Sequence, residues 1–120
     1  YVMEQLEAGK NVILEIEIQG ALNVKKKFPD TLLLFVTPPS AQELEHRLRG
    51  RGTETDEVIR SRLKRAVEEA EFMDHYDYIL VNDDLETCVQ EMHELIQAQR
   101  HKTSQNQEFI AEMKEDLKQF

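Results

Sequence analysis

The sequence predicts an α/β layered fold with parallel strand pairing. Strand-like and helix-like segments alternate along the chain, in the order helix, strand, helix, strand, two helices, strand, two helices, which implies right-handed crossovers between parallel strands. Val12-Ile13-Leu14 and Thr31–Val36 are apolar on successive residues, as suits strands covered on both faces. The longest apolar run, Leu32–Val36, is far too short to cross a bilayer.

Val2 and Leu6, with Met3, recur at helical spacing until Gly9, which suits a left-handed cap, so a first helix is expected to end there. Val12–Ile18 follows as a strand whose latter half alternates acidic and apolar residues. Glu15 and Glu17 then project from one face near its carboxyl end, the end at which open α/β sheets bind ligands. Gly20 and Ala21–Phe28 form a short helix with a Lys25–Lys27 run, stopped by Pro29-Asp30. Thr31–Val36 is a second, interior strand, broken by Thr37-Pro38-Pro39.

Ser40 with Glu43 three residues later is a capping box, and the helix it opens carries Leu44 and Leu48 before Gly50-Arg51-Gly52 ends it. Thr53 or Thr55 caps the next helix, whose Val58, Ile59, Leu63, Ala66, Val67 and Ala70 keep a 3.6-residue rhythm. Tyr78–Val81 is a third strand, broken by Asn82-Asp83-Asp84. A helix from about Leu85 to Arg100 turns Val89, Met92, Leu95 and Ile96 inward. After a polar joint, a last amphipathic helix within 105–120 carries Phe109, Ile110, Met113 and Leu117.

The composition narrows the class further. In 120 residues, 40% hydrophobic against 32% charged is a soluble balance, neither disordered nor membrane-embedded. The net charge of −9 argues against a nucleic-acid-coating or membrane-surface protein. That charge is unevenly spread. From Arg47 to Arg65 seven basic residues meet three acids, so a +4 window sits in a chain whose remainder carries −13. The single Cys88 excludes an internal disulfide, and with no signal-peptide pattern a reducing, cytoplasmic location is expected. The chain opens at Tyr1 without an initiator Met and already in helical register, as expected of a segment cut from something longer.

Two constellations could carry chemistry. Paired carboxylates on one strand face repel unless a cation or donors lie between them, so Glu15 and Glu17 mark either an exposed sheet edge or a site. An apolar strand ending in an acid is the pattern of a magnesium-orienting position. The second constellation is the Arg47–Arg65 window, rich in arginine, whose planar fork suits phosphate oxygens. Its alternative is a solvated helix surface ion-paired to Glu54, Asp56, Glu57 and Glu68. His46, His75, His93 and His101 have no partner at metal-ligand spacing, and Cys88 reads as core. No G-x-x-x-x-G-K-[ST] phosphate loop occurs in these residues.

Four segments resemble guanylate kinases in order and spacing: Leu14–Ala21 (LEIEIQGA), Pro38-Pro39-Ser40, Arg47–Thr53 (RLRGRGT) and Tyr76–Asp84 (YDYILVNDD). They are spread over most of residues 1–100, and the Glu-x-Glu pair resembles bacterial members, where many relatives carry Asp-x-Asp. The resemblance implies an incomplete P-loop-kinase-type three-layer parallel sheet with a helical lid and without its central phosphate-loop strand. By it, residues 1–120 are the C-terminal portion of the domain, with a core of 1–46 and 73–104, a lid of about 47–72 and a C-terminal helix of 105–120.

The same resemblance implies transfer of the γ-phosphoryl group of ATP to GMP, with Mg²⁺, in the complete enzyme. Glu15 matches the acid that orients Mg²⁺ through water, and Glu17 the acid that recognises guanine, whose N1–H and amino donors a carboxylate accepts together. Arg47, Arg51 and Arg62 match the lid arginines that close over the phosphates. Arg51 and Asn82 match positions against the adenine. The fragment alone is expected to be inactive, and its unpaired strands are expected to close the gap by pairing directly or by swapping with another copy. The alternative functional class is a non-catalytic protein-interaction module, like the guanylate-kinase-like domains of scaffold proteins; a blander one is a truncated product with no function of its own.

Overall fold

A computed structural model describes residues 1–9 and 12–120. Two compact units are present, Tyr1–Thr31 and Leu32–Phe120.

In the first unit, α1 (Val2–Glu7) closes as its spacing predicts: the Ala8 amide donates to Glu4 O and the Gly9 amide to Leu6 O, with Gly9 at φ +80°. The expected strand Val12–Ile18 does not form. Residues 12–17 belong to neither helix nor strand, and Ile18 is already the first residue of α2 (Ile18–Lys27). A strand exists only through a backbone ladder with a neighbour, and no strand among the described residues pairs with this segment. Ile13 is accordingly 75% exposed. At the far end of α2, Lys25–Lys27 fill the last turn, where the helix dipole favours cations. The Lys25 ammonium donates to Thr31 O.

In the second unit, β1 (Leu34–Thr37) and β2 (Tyr78–Val81) pair in parallel, in register from Leu34 opposite Tyr78 to Thr37 opposite Val81. Just before the ladder, Leu33 O accepts from the amides of Asp77 and Tyr78, while Leu33 N donates to Asp77 Oδ2 at 2.8 Å. These bonds set the register from its amino end. Parallel strands need a long crossover, here supplied by α3 (Ala41–Gly50), α4 (Asp56–Ala70) and a short 3₁₀ turn, Met73–His75. The expectation of a β1 interior on both faces is not met: among the described residues β2 alone pairs with it, and Val36 remains half exposed.

The buried core of this unit takes Leu33, just before β1, and one residue from each of four elements: Leu48 of α3, Ile59 of α4, Leu80 of β2 and Cys88 of α5 (Leu85–Ala98). Beside it, the rings of Phe35 and Tyr76 meet edge to face at 5.1 Å. In α5, which starts at Leu85, the expected Met92, Leu95 and Ile96 are partly covered and Cys88 is buried, whereas the expected Val89 is exposed. Asp84 fixes that start, accepting from the amide and hydroxyl of Thr87.

Two 3₁₀ turns, Gln99–His101 and Thr103–Gln105, lead to α6 (Gln107–Leu117). The Asn106 side-chain Nδ2 secures the joint by donating to Arg100 O and Lys102 O. Among the described residues no helix is long and apolar enough to cross a membrane.

Candidate functional site

The arginine window is built on the α3–α4 junction. Ser40 Oγ accepts from the Glu43 amide at 3.0 Å, as the capping box predicts, and the last turn of α3 then carries Arg47 and Arg49. Gly52, at φ +64°, reverses the chain in a conformation that costs an L side chain about 1–2 kcal/mol. Thr55 caps α4 through the Val58 amide. The basic residues are thus divided between two helices that pack on each other.

Arg47 is held at each of its three nitrogens. Nε donates to Glu43 Oε1 at 2.9 Å, one helical turn back, while Nη1 donates to Asn82 O at 2.7 Å and Nη2 to Asp83 O at 3.3 Å. The guanidinium therefore ties α3 to the chain just past the carboxyl end of β2. The structure brings Arg47 and Asn82 together, through the main-chain carbonyl of Asn82. The Asn82 amide in turn donates to Thr37 O at 2.7 Å, continuing the sheet ladder by one bond.

Asp56 bridges the junction. Arg49 donates to it at 2.6 Å and Arg60 lies 2.9 Å from its other oxygen, while Arg49 also bonds Glu45 at 3.2 Å. The Arg49 hydrogen bond, reinforced by the Arg60 charge, holds the Asp56 carboxyl below its usual range, and the same hydrogen bond raises the Arg49 pKa. Asp84 is lowered as well, by the Thr87 hydroxyl and then its amide.

Arg62 takes Glu54 as its partner at 2.8 Å. Glu54 sits in the loop between the helices with only 18% of its side chain exposed, and its second oxygen is buried with no hydrogen-bond partner among the described residues. Arg51 differs from the other two expected arginines. It is exposed, and its side chain makes no hydrogen bond or ion pair among the described residues.

The solvated-surface reading is thus met in part, since Glu54 and Asp56 are engaged as counter-charges while Glu57 and Glu68 make no ion pair among the described residues. Glu43 and Asp83 are the partners that sequence reasoning missed. The four-residue spacing of Glu43 to Arg47 was a usable signal. Glu54 is an expected counter-charge, but its burial gave no signal, because it depends on how two helices pack.

In the first unit the two acids do not share a strand face. Glu17 is the N-cap of α2, with Oε1 accepting from the Gly20 amide and Oε2 from the Gln19 amide at 2.9 Å. Gly20 makes this approach possible, since a Cβ there would lie 2.9 Å from Glu17 Oε1. Each carboxylate oxygen keeps acceptor capacity beyond its one amide. Glu15 is exposed with no polar partner among the described residues. Those residues hold no group of three or more His, Cys, Asp or Glu able to grip a metal by themselves.

This is an α/β protein whose densest charge lies where two helices meet beside the carboxyl end of a parallel strand pair. The family model for guanylate kinase matches residues 1–99. The chain is 46% identical over 118 residues to the guanylate kinase of Lactococcus lactis subsp. lactis, covering 98% of this chain and 58% of that protein. It is 50% identical over 99 residues to that of Streptococcus thermophilus (82% and 47%) and 47% identical over 102 residues to that of Halalkalibacterium halodurans (85% and 50%). The chain belongs to the guanylate kinase family, and it spans about half the length of the curated relatives it matches.

Proposed function

We propose that this chain is the lid-bearing part of an enzyme that transfers the γ-phosphoryl group of ATP to GMP, giving ADP and GDP. The observation that carries the reading is the match of a guanylate kinase family model over the same residues that concentrate the arginines. Phosphoryl transfer needs little covalent help and much charge neutralisation, and an arginine at the transferring group supplies about 10³–10⁵-fold in rate. Arg51 is free for this role as it stands. Arg62 has spare N–H donors. Arg47 must exchange the Asn82 and Asp83 carbonyls for phosphate oxygens, a trade that fits a lid which closes on its ligand.

Glu17 is assigned to guanine. Its remaining lone pairs accept the N1–H and amino donors, and α2 fixes the carboxylate from below through two amides. Asn82 and Arg51 are assigned to the adenine. Glu15, exposed and unpartnered, is suited to the water shell of Mg²⁺, which binds through one or two carboxylates and substrate phosphates and keeps several waters. When bound, the ion would neutralise phosphate charge, with Glu15 holding its water shell. Exposed apolar side chains at Ile13, Leu14 and Ile16 keep strand exchange with a second copy within the same proposal.

The paired state of Arg47, Arg49 and Arg62 favours the second reading, an interaction module that uses these charges structurally. A chimera separates the two. With this chain replacing the matched 118 residues of the Lactococcus lactis relative, GMP-dependent ADP release is expected, and Arg62→Ala is expected to lower turnover by about 10³-fold. The chain by itself is expected to release no ADP. An inactive but folded chimera, or one indifferent to Arg62→Ala, overturns the catalytic assignment.

A further inference from the structure

Among the described residues the Glu54 carboxylate has one charged partner, Arg62, whose Nη2 lies 2.8 Å from Oε1 in an ion pair, while its other oxygen is buried without a hydrogen-bond partner. A largely buried carboxylate that loses such a counter-charge stands as an uncompensated charge, so separating Arg62 from it is costly. Arginine, however, has five N–H donors in a rigid fork, and half of this side chain is exposed. One nitrogen of the guanidinium is thus engaged by Glu54 while about half of the side chain stays open to solvent.

The anchoring is directional. Glu54 lies between Gly52, which turns the chain, and Thr55, which caps α4, so its position is fixed from both sides by local backbone geometry. Arg62 reaches back toward the helix start, the direction in which helical side chains lean. By contrast the surrounding pairs Arg49–Asp56 and Arg60–Asp56 involve a carboxylate about half exposed, where water can replace either partner.

We propose that Glu54 is a positioning residue for Arg62: it presets the guanidinium plane so that the remaining donors meet phosphate oxygens without a further loss of side-chain freedom. The inference rests on the phosphate-binding reading of Arg62 given above and adds Glu54 to it.

The test uses the chain itself, with MgATP as the probe and the Arg62 Nε–Hε resonance as a second, ligand-free readout. Glu54→Gln is expected to leave the melting temperature and backbone spectrum near wild type but to lower the order parameter of Arg62 Nε. MgATP affinity is expected to fall about 2- to 10-fold, the loss that goes with one unrestrained long side chain. In an Arg62→Ala background, Glu54→Gln is expected to change affinity no further. An unchanged Arg62 Nε order parameter overturns the proposal, as do losses that multiply in the double variant. If Arg62→Ala leaves MgATP binding unaltered, the phosphate role of Arg62 fails, and the Nε order parameter still decides whether Glu54 restrains it.

Discussion

Replacing Gly20 by alanine is expected to separate two effects that cancel in a simple stability measurement. Gly20 occupies the third helical position of α2, and its missing Cβ is what lets Glu17 Oε1 reach the amide nitrogen. In Gly20→Ala the new methyl group would sit 2.9 Å from that oxygen, so the carboxylate, at the end of a flexible side chain, must move. Loss of an N-cap costs about 0.5–2 kcal/mol, and at this exposed helix end the lower half of that range applies. Alanine in place of glycine returns up to about 1 kcal/mol of helix propensity. The net change in the stability of α2 is therefore within about 1 kcal/mol of zero.

The displacement shows up in a double-mutant cycle. Glu17→Ala alone removes both amide contacts and gains nothing, so it is expected to destabilise α2 by about 1 kcal/mol. Once Glu17 is truncated, the methyl group at position 20 no longer meets Oε1, and Gly20→Ala is expected to stabilise by up to about 1 kcal/mol. Amide hydrogen exchange along α2, with urea unfolding for the whole chain, measures the four corners. Coupling of about 1 kcal/mol is expected. If Gly20→Ala changes stability equally in both backgrounds, to within about 0.3 kcal/mol, the close approach of Glu17 is irrelevant and the reasoning fails.

Other outcomes follow from the second unit. Arg47→Ala removes donors to Glu43, Asn82 and Asp83 from a partly buried position, and is expected to lower unfolding free energy by about 1–3 kcal/mol in urea; an unchanged midpoint would show the tie to be idle. Asp77→Ala strips Leu33 N of its acceptor at the start of the ladder, and should cost about 1–2 kcal/mol and speed exchange of the β1 amides, whereas Asp77→Asn, which keeps an oxygen, should cost less. Because the folded state depresses the Asp56 and Asp84 pKa values, the stability they contribute is fully present above the ordinary carboxylate pKa of 3.8 and is lost as pH falls through the lower folded values. Thermal midpoints in acid are therefore expected to fall less steeply in Asp56→Asn with Asp84→Asn than in the parent chain.

The parts of the fold legible in the sequence were those decided locally. Ser40 and, of the two threonines the sequence offers, Thr55 cap their helices because each needs only an amide three residues away. Gly9 and Gly52 mark chain reversals for an equally local reason, their positive φ. Tyr78–Val81 was legible as a run bounded by turn residues, and its partner β1 was legible to within three residues. What misled was the pattern whose outcome depends on a neighbour. Val12–Ile18 alternates like a strand, yet alternation yields a strand only when another segment offers its backbone, and the capping strength of Glu17 turns the same residues into the approach to a helix.

The same distinction applies to the site. The clustering of arginines was visible from composition, and Glu43 to Arg47 from spacing. That Arg47 would reach the carbonyls of Asn82 and Asp83 could not be read from the sequence, because those partners lie 35 and 36 residues away and meet it only through the parallel register. Glu54 was legible only as a charge, and its burial is a product of helix packing.

Cys88, the sole thiol of the chain, lies 3% exposed on the face of α5 that turns to the core. An aromatic disulfide reagent in solution can react with it only when the second unit opens, and no other sulfhydryl contributes background. The rate of modification against reagent concentration thus reports the opening equilibrium when closing is fast and the opening rate when it is slow, without any label being introduced. The residue that looked chemically silent gives a built-in clock for the unit that carries the arginines.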